Sequence, residues 1–252
     1  MTGRMVYGGK NLYGARLGFL MLDVETPRMP GDVGNAATWP FPVLYGVVPG
    51  ANPRRVVNER GKGLLDAIYG TAQRLVKEGA DGIASTGGFF SIYQAELAAR
   101  CEVPVATSSL MQIPLVERLL PPGKRVGVIT VQSDQLSAEH LEAAGAAPDT
   151  PVVGTENGRE FSRVFHNAET VLNAELAELD ILDAGQEMVS RHPEVGAIVF
   201  ECHNMAPFAR SLRDSIGMPV FSVYSFFTWF HAGLEPRDFG HPGSAPRDLR
   251  ER

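Results

Sequence analysis

Apolar residues in this chain follow two rhythms. Short uninterrupted runs occupy positions 16–23 (RLGFLMLD), 42–48 (PVLYGVV), 82–85 (GIAS), 103–107 (VPVAT), 125–130 (RVGVIT), 197–200 (AIVF) and 218–223 (MPVFSV), with a shorter one near Val152. Runs of that length, bounded by Gly and Pro, read as strands buried on both faces. Between them apolar residues recur every three or four positions, the spacing of helices with one buried stripe. That spacing predicts helices over 54–77, 89–100, 109–120, from a cap at Ser133 or Asp134 to about 144, and over 168–190, 206–216 and 225–232. Pro114 falls inside the third, where it either kinks the helix or occupies its first turn. Buried strands alternating with helices predict an α/β fold with mostly parallel sheets.

The pattern also repeats. Gly82 and Pro104 are 22 positions apart, as are Ala197 and Pro219, and each interval holds strand, loop, helix and a "PV" strand in the same order. In that overlay Gly87 lies five positions after Gly82, and Cys202 five positions after Ala197. The expected organisation is a first lobe over 16–120, to which the chain can return after 224, a second over 121–223, and a loosely ordered tail over 235–252.

Composition narrows the function classes. With 44% hydrophobic and 21% charged residues the 252-residue chain is an ordinary globular protein with a sizeable core. Its net charge of −6, without a basic cluster interleaved with aromatics, argues against nucleic acid as a partner. No apolar stretch approaches a membrane span and the N-terminus shows no signal-peptide pattern, so a cytoplasmic location is expected and no membrane partner. Cys101 and Cys202 are too isolated to suggest a disulfide, and the six histidines lack metal-site spacing. No G-x-G-x-x-G or G-x-x-x-x-G-K-[ST] is present, and "PPGKRVG" (121–127) reads as a turn entering a strand. No cofactor and no metal are expected.

Chemistry concentrates on "AIVFECHNMAP" (197–207). Cys202 follows a buried strand and precedes a helix, and in parallel α/β sheets ligands bind beyond the carboxyl ends of strands. Helix-start N–H groups gathered there favour anions and thiolates. Cys101, at a helix end before "EVPV", reads as packing.

"VFECHNMAPFA" resembles the second-cysteine motif of the aspartate/glutamate racemase superfamily, and "ASTGGFF" (84–90), followed by Gln94, resembles the first. "PGDVGNAATWPFPV" (30–43), "VPVATSSLMQIP" (103–114) and "RVGVITVQSDQL" (125–136) resemble other segments of that superfamily in the same order, over roughly 16–234. The resemblance implies two pseudo-symmetric α/β lobes with the active site between them, acting without cofactor on a small carboxylic acid, in a chain that can form a homodimer or higher homo-oligomer. Racemases of the superfamily place one cysteine on each face of the substrate's α-carbon. Here Gly87 stands where the first cysteine is expected, and His203 where threonine is usual. The single-cysteine arrangement is similar to that of arylmalonate decarboxylase, a member with glycine at the first position. It implies proton transfer next to a carboxylate with Cys202 as acid or base, tilted toward decarboxylation or other lyase chemistry. The rivals are a racemase or epimerase with a second acid/base other than cysteine, and a non-catalytic carboxylate-binding protein.

Candidate contacts follow from strand ends. Thr86, Gly87, Gly88 and Phe89 either cradle a carboxylate with backbone N–H groups or cap a helix. Ser108 and Ser109 line the site or cap the next helix. Asp32, Asn35 and Thr38 sit in the Gly/Pro-rich loop after the first strand, where reaching over a site and ordinary turn chemistry are both open. Thr130, Gln132 and Asn204 are further donors, and His203 is a candidate to orient the thiol or bind an oxyanion. Glu201 is expected to point away from Cys202 if strand alternation continues. The aromatic segment 224–233 either walls the pocket or forms a core helix.

Overall fold

The computed structural model of the protein describes residues 5–239. Most of the expected tail at 235–252 therefore lies outside the described residues. Two four-stranded sheets, all parallel, form the two lobes. The first runs in the order β2 (Val43–Val47), β1 (Leu17–Met21), β3 (Gly82–Ser85), β4 (Val105–Ala106); the second in the matching order β6 (Val152–Gly154), β5 (Arg125–Thr130), β7 (Val195–Phe200), β8 (Val220–Phe221). Register repeats with order: Ile83 pairs with Val105 and Ile198 with Val220. The same 115-residue offset carries Gly87 onto Cys202.

Helices α1 (Leu65–Glu78), α2 (Gln94–Arg100), α3 (Ile113–Leu119), α4 (Ala138–Ala143), α5 (Phe161–Asn167), α6 (Ala174–Arg191), α7 (Ala209–Ile216) and α8 (Val223–Leu234) flank the sheets. β1, β3 and most of β7 are buried along their length, as central parallel strands covered on both faces should be. The closing helix of each half crosses to the opposite lobe. α3 packs on β5, while α8 lies on the first sheet, with Phe227 edge-on to Phe19 at 5.3 Å between ring centres. Fully burying one such ring contributes about 1.5–3 kcal/mol, so the exchanged helices tie the lobes together.

Several boundaries differ from the expectation, each for a local reason. The helix expected over 54–77 is a wide turn over Arg54–Asn58 and then α1, because Arg60, Gly61 and Gly63 adopt positive φ (50°, 64° and 75°). The Tyr93 hydroxyl donates to the Gly61 carbonyl and pins that break to the next segment. The helix expected over 168–190 is α6, which starts later, at Ala174, because the Asn173 side chain caps it by accepting from the Leu176 N–H. α5, which is closed by Ala168 at φ 57°, was not expected. α4 starts at Ser137, whose hydroxyl and the His140 ring form a reciprocal cap, rather than at Ser133 or Asp134. Pro114 occupies the first turn of α3, where its missing N–H has no helical partner to lose. The aromatic segment 224–233 belongs to α8, with Phe226 and Phe227 in the core.

Candidate active site

β3 and β7 each end in a cap residue followed by a tight 3₁₀ turn: Gly87 before Gly88–Tyr93, and Cys202 before His203–Phe208. The two turns face one cleft between the lobes. Thr86, Gly87, Gly88 and Phe89 line it from the first lobe, and Glu201, Cys202, His203 and Asn204 from the second. Leu22, Pro53, Val56, Val57, Val131 and Phe165 supply apolar walls, and His166 adds an imidazole. The structure thus brings seven of the sequence-derived candidates to one cavity.

The thiol is aimed by a chain of contacts that crosses the lobes. Cys202 Sγ donates to Asn204 Oδ1 (3.4 Å), and Asn204 Nδ2 donates to Asp32 Oδ2 (2.6 Å). His203 Nδ1 is 3.0 Å from the same Asp32 oxygen. Asp32 Oδ1 accepts from the Gly34 N–H (2.7 Å) and lies 3.3 Å from Arg28 Nη1. Asp32 is 1% exposed. Burial works to raise its pKa, but His203, Arg28 and the Gly34 N–H outweigh it and hold the carboxyl below its ordinary value. Burial lowers the His203 pKa more than Asp32 raises it, so a neutral imidazole donating Nδ1–H to Asp32 is favoured. Burial, and next the neighbouring Glu201, push the Cys202 thiol well above its ordinary pKa.

Asn35, Thr38, Ser108, Ser109, Thr130 and Gln132 are placed around this cleft rather than on it. Asn35 spends its side chain inside its own loop, donating to the Arg28 carbonyl and accepting from the Ala37 N–H. Thr38 does likewise, donating to the Asp32 carbonyl (2.6 Å). Ser108 caps the turn at Ser109–Gln112 by accepting from the Leu110 N–H. Ser109 Oγ donates across the lobes to the Phe200 carbonyl (2.6 Å), so it supports the strand beneath Cys202. Thr130 donates to Glu201 Oε2 (2.8 Å), and Gln132 is half-buried away from the cleft lining. Thr86 lines the cleft, although its hydroxyl already accepts from the Leu22 N–H (3.0 Å).

Glu201 and Arg28 were missed by sequence reasoning. Glu201, expected to point away from the Cys202 thiol, lines the same cleft, because β7 ends at Phe200 and strict alternation stops there. A charged residue closing an otherwise apolar run was the available signal. Arg28 had none, since only loop docking brings it beside His203.

No family model matches the chain. It is 28% identical over 236 residues to a dimethylsulfoniopropionate lyase of Durusdinium sp. clade D, covering 89% of this chain and 76% of the relative. It is 27% identical to dimethylsulfoniopropionate lyase 6 of Emiliania huxleyi (strain CCMP1516), covering 81% of this chain but 56% of that relative. The chain therefore spans only about half the length of some curated relatives it matches. Among solved structures, a glycine-to-cysteine variant of arylmalonate decarboxylase with associated sulfate superposes with TM-score 0.57 at 14% identity, over 87% of this chain and 92% of that one. Allantoin racemase of Pseudomonas fluorescens gives 0.57 at 15% identity (86% and 90%), and a glutamate racemase of Bacillus anthracis 0.56 at 13% (87% and 83%).

Proposed function

We propose that this chain, which has the two-lobed fold of the aspartate/glutamate racemase superfamily, is a cofactor-independent lyase acting on a small carboxylate, with Cys202 as its single proton-transfer thiol. The observation that carries the reading is the register-matched pair of Cys202 and Gly87 across one cleft. Racemisation removes a proton from one face of the α-carbon and returns one to the other, and glycine offers no side chain for the second task. Elimination has no such need. The Cys202 thiolate takes the α-proton, the C–H electron pair becomes the new double bond, and the bond to the β-leaving group breaks with its pair departing. The thiol then returns its proton to solvent.

This reading assigns Asp32 and Asn204 to aiming the thiol, and His203, whose N–H is given to Asp32, to holding that network in place. The amides at the starts of the two 3₁₀ turns offer hydrogen bonds to the substrate carboxylate as negative charge builds on it. The sequence relatives support lyase chemistry, and their printed substrate has the required form: a carboxylate with a dimethylsulfonio group on the β-carbon. Decarboxylation of a malonate-type acid uses the same thiol in the other direction, as a one-face proton donor, and is the second arm of the test.

The protein is incubated with dimethylsulfoniopropionate, scoring dimethyl sulfide and acrylate, and in parallel with arylmalonates in deuterated water. Turnover in one arm that disappears in Cys202→Ala supports the assignment. Turnover of neither by folded protein, or turnover that survives Cys202→Ala, overturns it.

A further inference from the structure

Next to Cys202 in the chain, and lining the same cleft, is a buried carboxyl that the elimination scheme leaves idle. Glu201 is 2% exposed and sits at the lobe boundary. Its Oε2 accepts from Thr130 at the end of β5 (2.8 Å), and the backbone N–H of Phe89 in the opposite lobe is directed at the same carboxyl. The carboxyl occupies the space a side chain at position 88 would need: a Cβ on Gly88 would fall 2.0 Å from Glu201 Oε1 and 2.6 Å from the Glu201 carbonyl. The glycine at 88 is thus a requirement of this carboxyl.

We propose that Glu201 and Cys202 are a coupled pair that carries one negative charge between them, so that Glu201 sets when the thiol ionises. The proposal rests on Cys202 being the reactive thiol of the cleft. Two adjacent anions in a desolvated cleft repel strongly, whereas one charge with its hydrogen bonds is tolerable. The exchange Cys–SH plus Glu–COO⁻ to Cys–S⁻ plus Glu–COOH conserves both proton and charge. Burial already raises Glu201 to about 7, which puts its ionisation in the working range. The other groups facing the pair are Asn204 on the thiol, Asp32 and Arg28 from the loop after β1, His203 tied to Asp32, and His166 on the cleft wall. Glu201 is a positioning residue in this account: it acts through the thiol.

The test reads the thiol without substrate, so it stands apart from the activity assay. In a Cys101→Ala background, the rate of iodoacetamide alkylation of Cys202 is measured against pH. Glu201→Gln removes the competing charge, and its amide can accept from the Phe89 N–H while donating to Thr130, whose hydroxyl serves either role. Its alkylation profile should move to lower pH by about one unit, roughly a tenfold rise in rate at fixed pH below the midpoint. Thr130→Val, which removes a donor to the ionised carboxyl without changing residue 201, should move the profile the same way by less. Unchanged profiles in both folded variants overturn the proposal. A shifted thiol profile without turnover of any acid leaves the pair standing and overturns the lyase reading instead.

Discussion

Restoring a thiol at position 87 tests the central geometry. Gly87 has φ −96° and ψ 106°, extended backbone open to any L-residue, so Gly87→Cys meets no backbone strain. The added Cβ would lie 3.3 Å from Cδ1 and Cγ of Phe90, a fully buried ring, which must yield by a few tenths of an ångström. Crowding of that kind costs about 1–3 kcal/mol. Replacing glycine in a conformation open to other residues returns about 0.4–1 kcal/mol by restricting the unfolded chain. The net loss of about 1–2 kcal/mol corresponds to a fall in Tm of roughly 2–8 °C at this chain length, and the variant should fold. The functional readout is a dimethylsulfoniopropionate stereospecifically deuterated at the α-carbon. With one base on one face, the wild type should give acrylate that has wholly kept or wholly lost the label, according to the substrate's configuration. Gly87→Cys adds a base on the other face and should mix the two outcomes. Mixed label from the wild type would show that another group already serves the Gly87 face. Undiminished stereospecificity in the folded variant would show that position 87 does not face the reacting carbon. Either result refutes the opposed-face geometry.

The neighbouring glycine should behave in the opposite way: Gly88→Ala drives a Cβ into Glu201 and should cost several kcal/mol, read by chemical denaturation. Cys202→Ala should lower turnover by about 10²–10⁴ while leaving the melting curve close to wild type. Asp32→Ala removes the acceptor shared by His203, Asn204 and Arg28 and should cost about 3–5 kcal/mol, with activity falling in what remains folded. Because the Asp32 pKa is lowered on folding, its contribution is present above the unfolded value near 4 and lost as pH falls through the lowered value. Denaturation midpoints from pH 5 down to 2 should therefore lack this component in Asp32→Asn. His140, buried against Phe89, has its pKa lowered to about 4, mainly by burial. The unfolded chain binds the extra proton first, so its contribution of up to about 3 kcal/mol is full above pH 6.5 and drains away as pH falls toward 4. His140→Gln should flatten that part of the stability profile.

Much of the fold was legible because its determinants are local. Strand and helix periods are set by neighbouring residues, and the overlay of Gly82–Pro104 on Ala197–Pro219 reappears as identical strand order and register in the two sheets. The placement of Gly87 and Cys202 at matching strand ends follows from that register alone. Boundaries were less legible where residues with positive φ, such as Arg60 and Gly61, interrupt an otherwise continuous apolar stripe. What the tertiary structure decided was every contact made by residues far apart in the chain. Asp32 reaches His203 and Asn204 across 171 and 172 positions, and turns from a loop residue of open role into the hub behind the thiol. Thr130, read as a substrate donor from its strand end, gives its hydroxyl to the carboxyl of Glu201, and Ser109, left open between lining the site and capping a helix, donates to the backbone of Phe200. Periodicity tells which face of an element is buried, but not which buried polar group finds which partner. That pairing is enforced by the cost of leaving any of them unsatisfied, and it is settled only when both lobes close around the cleft.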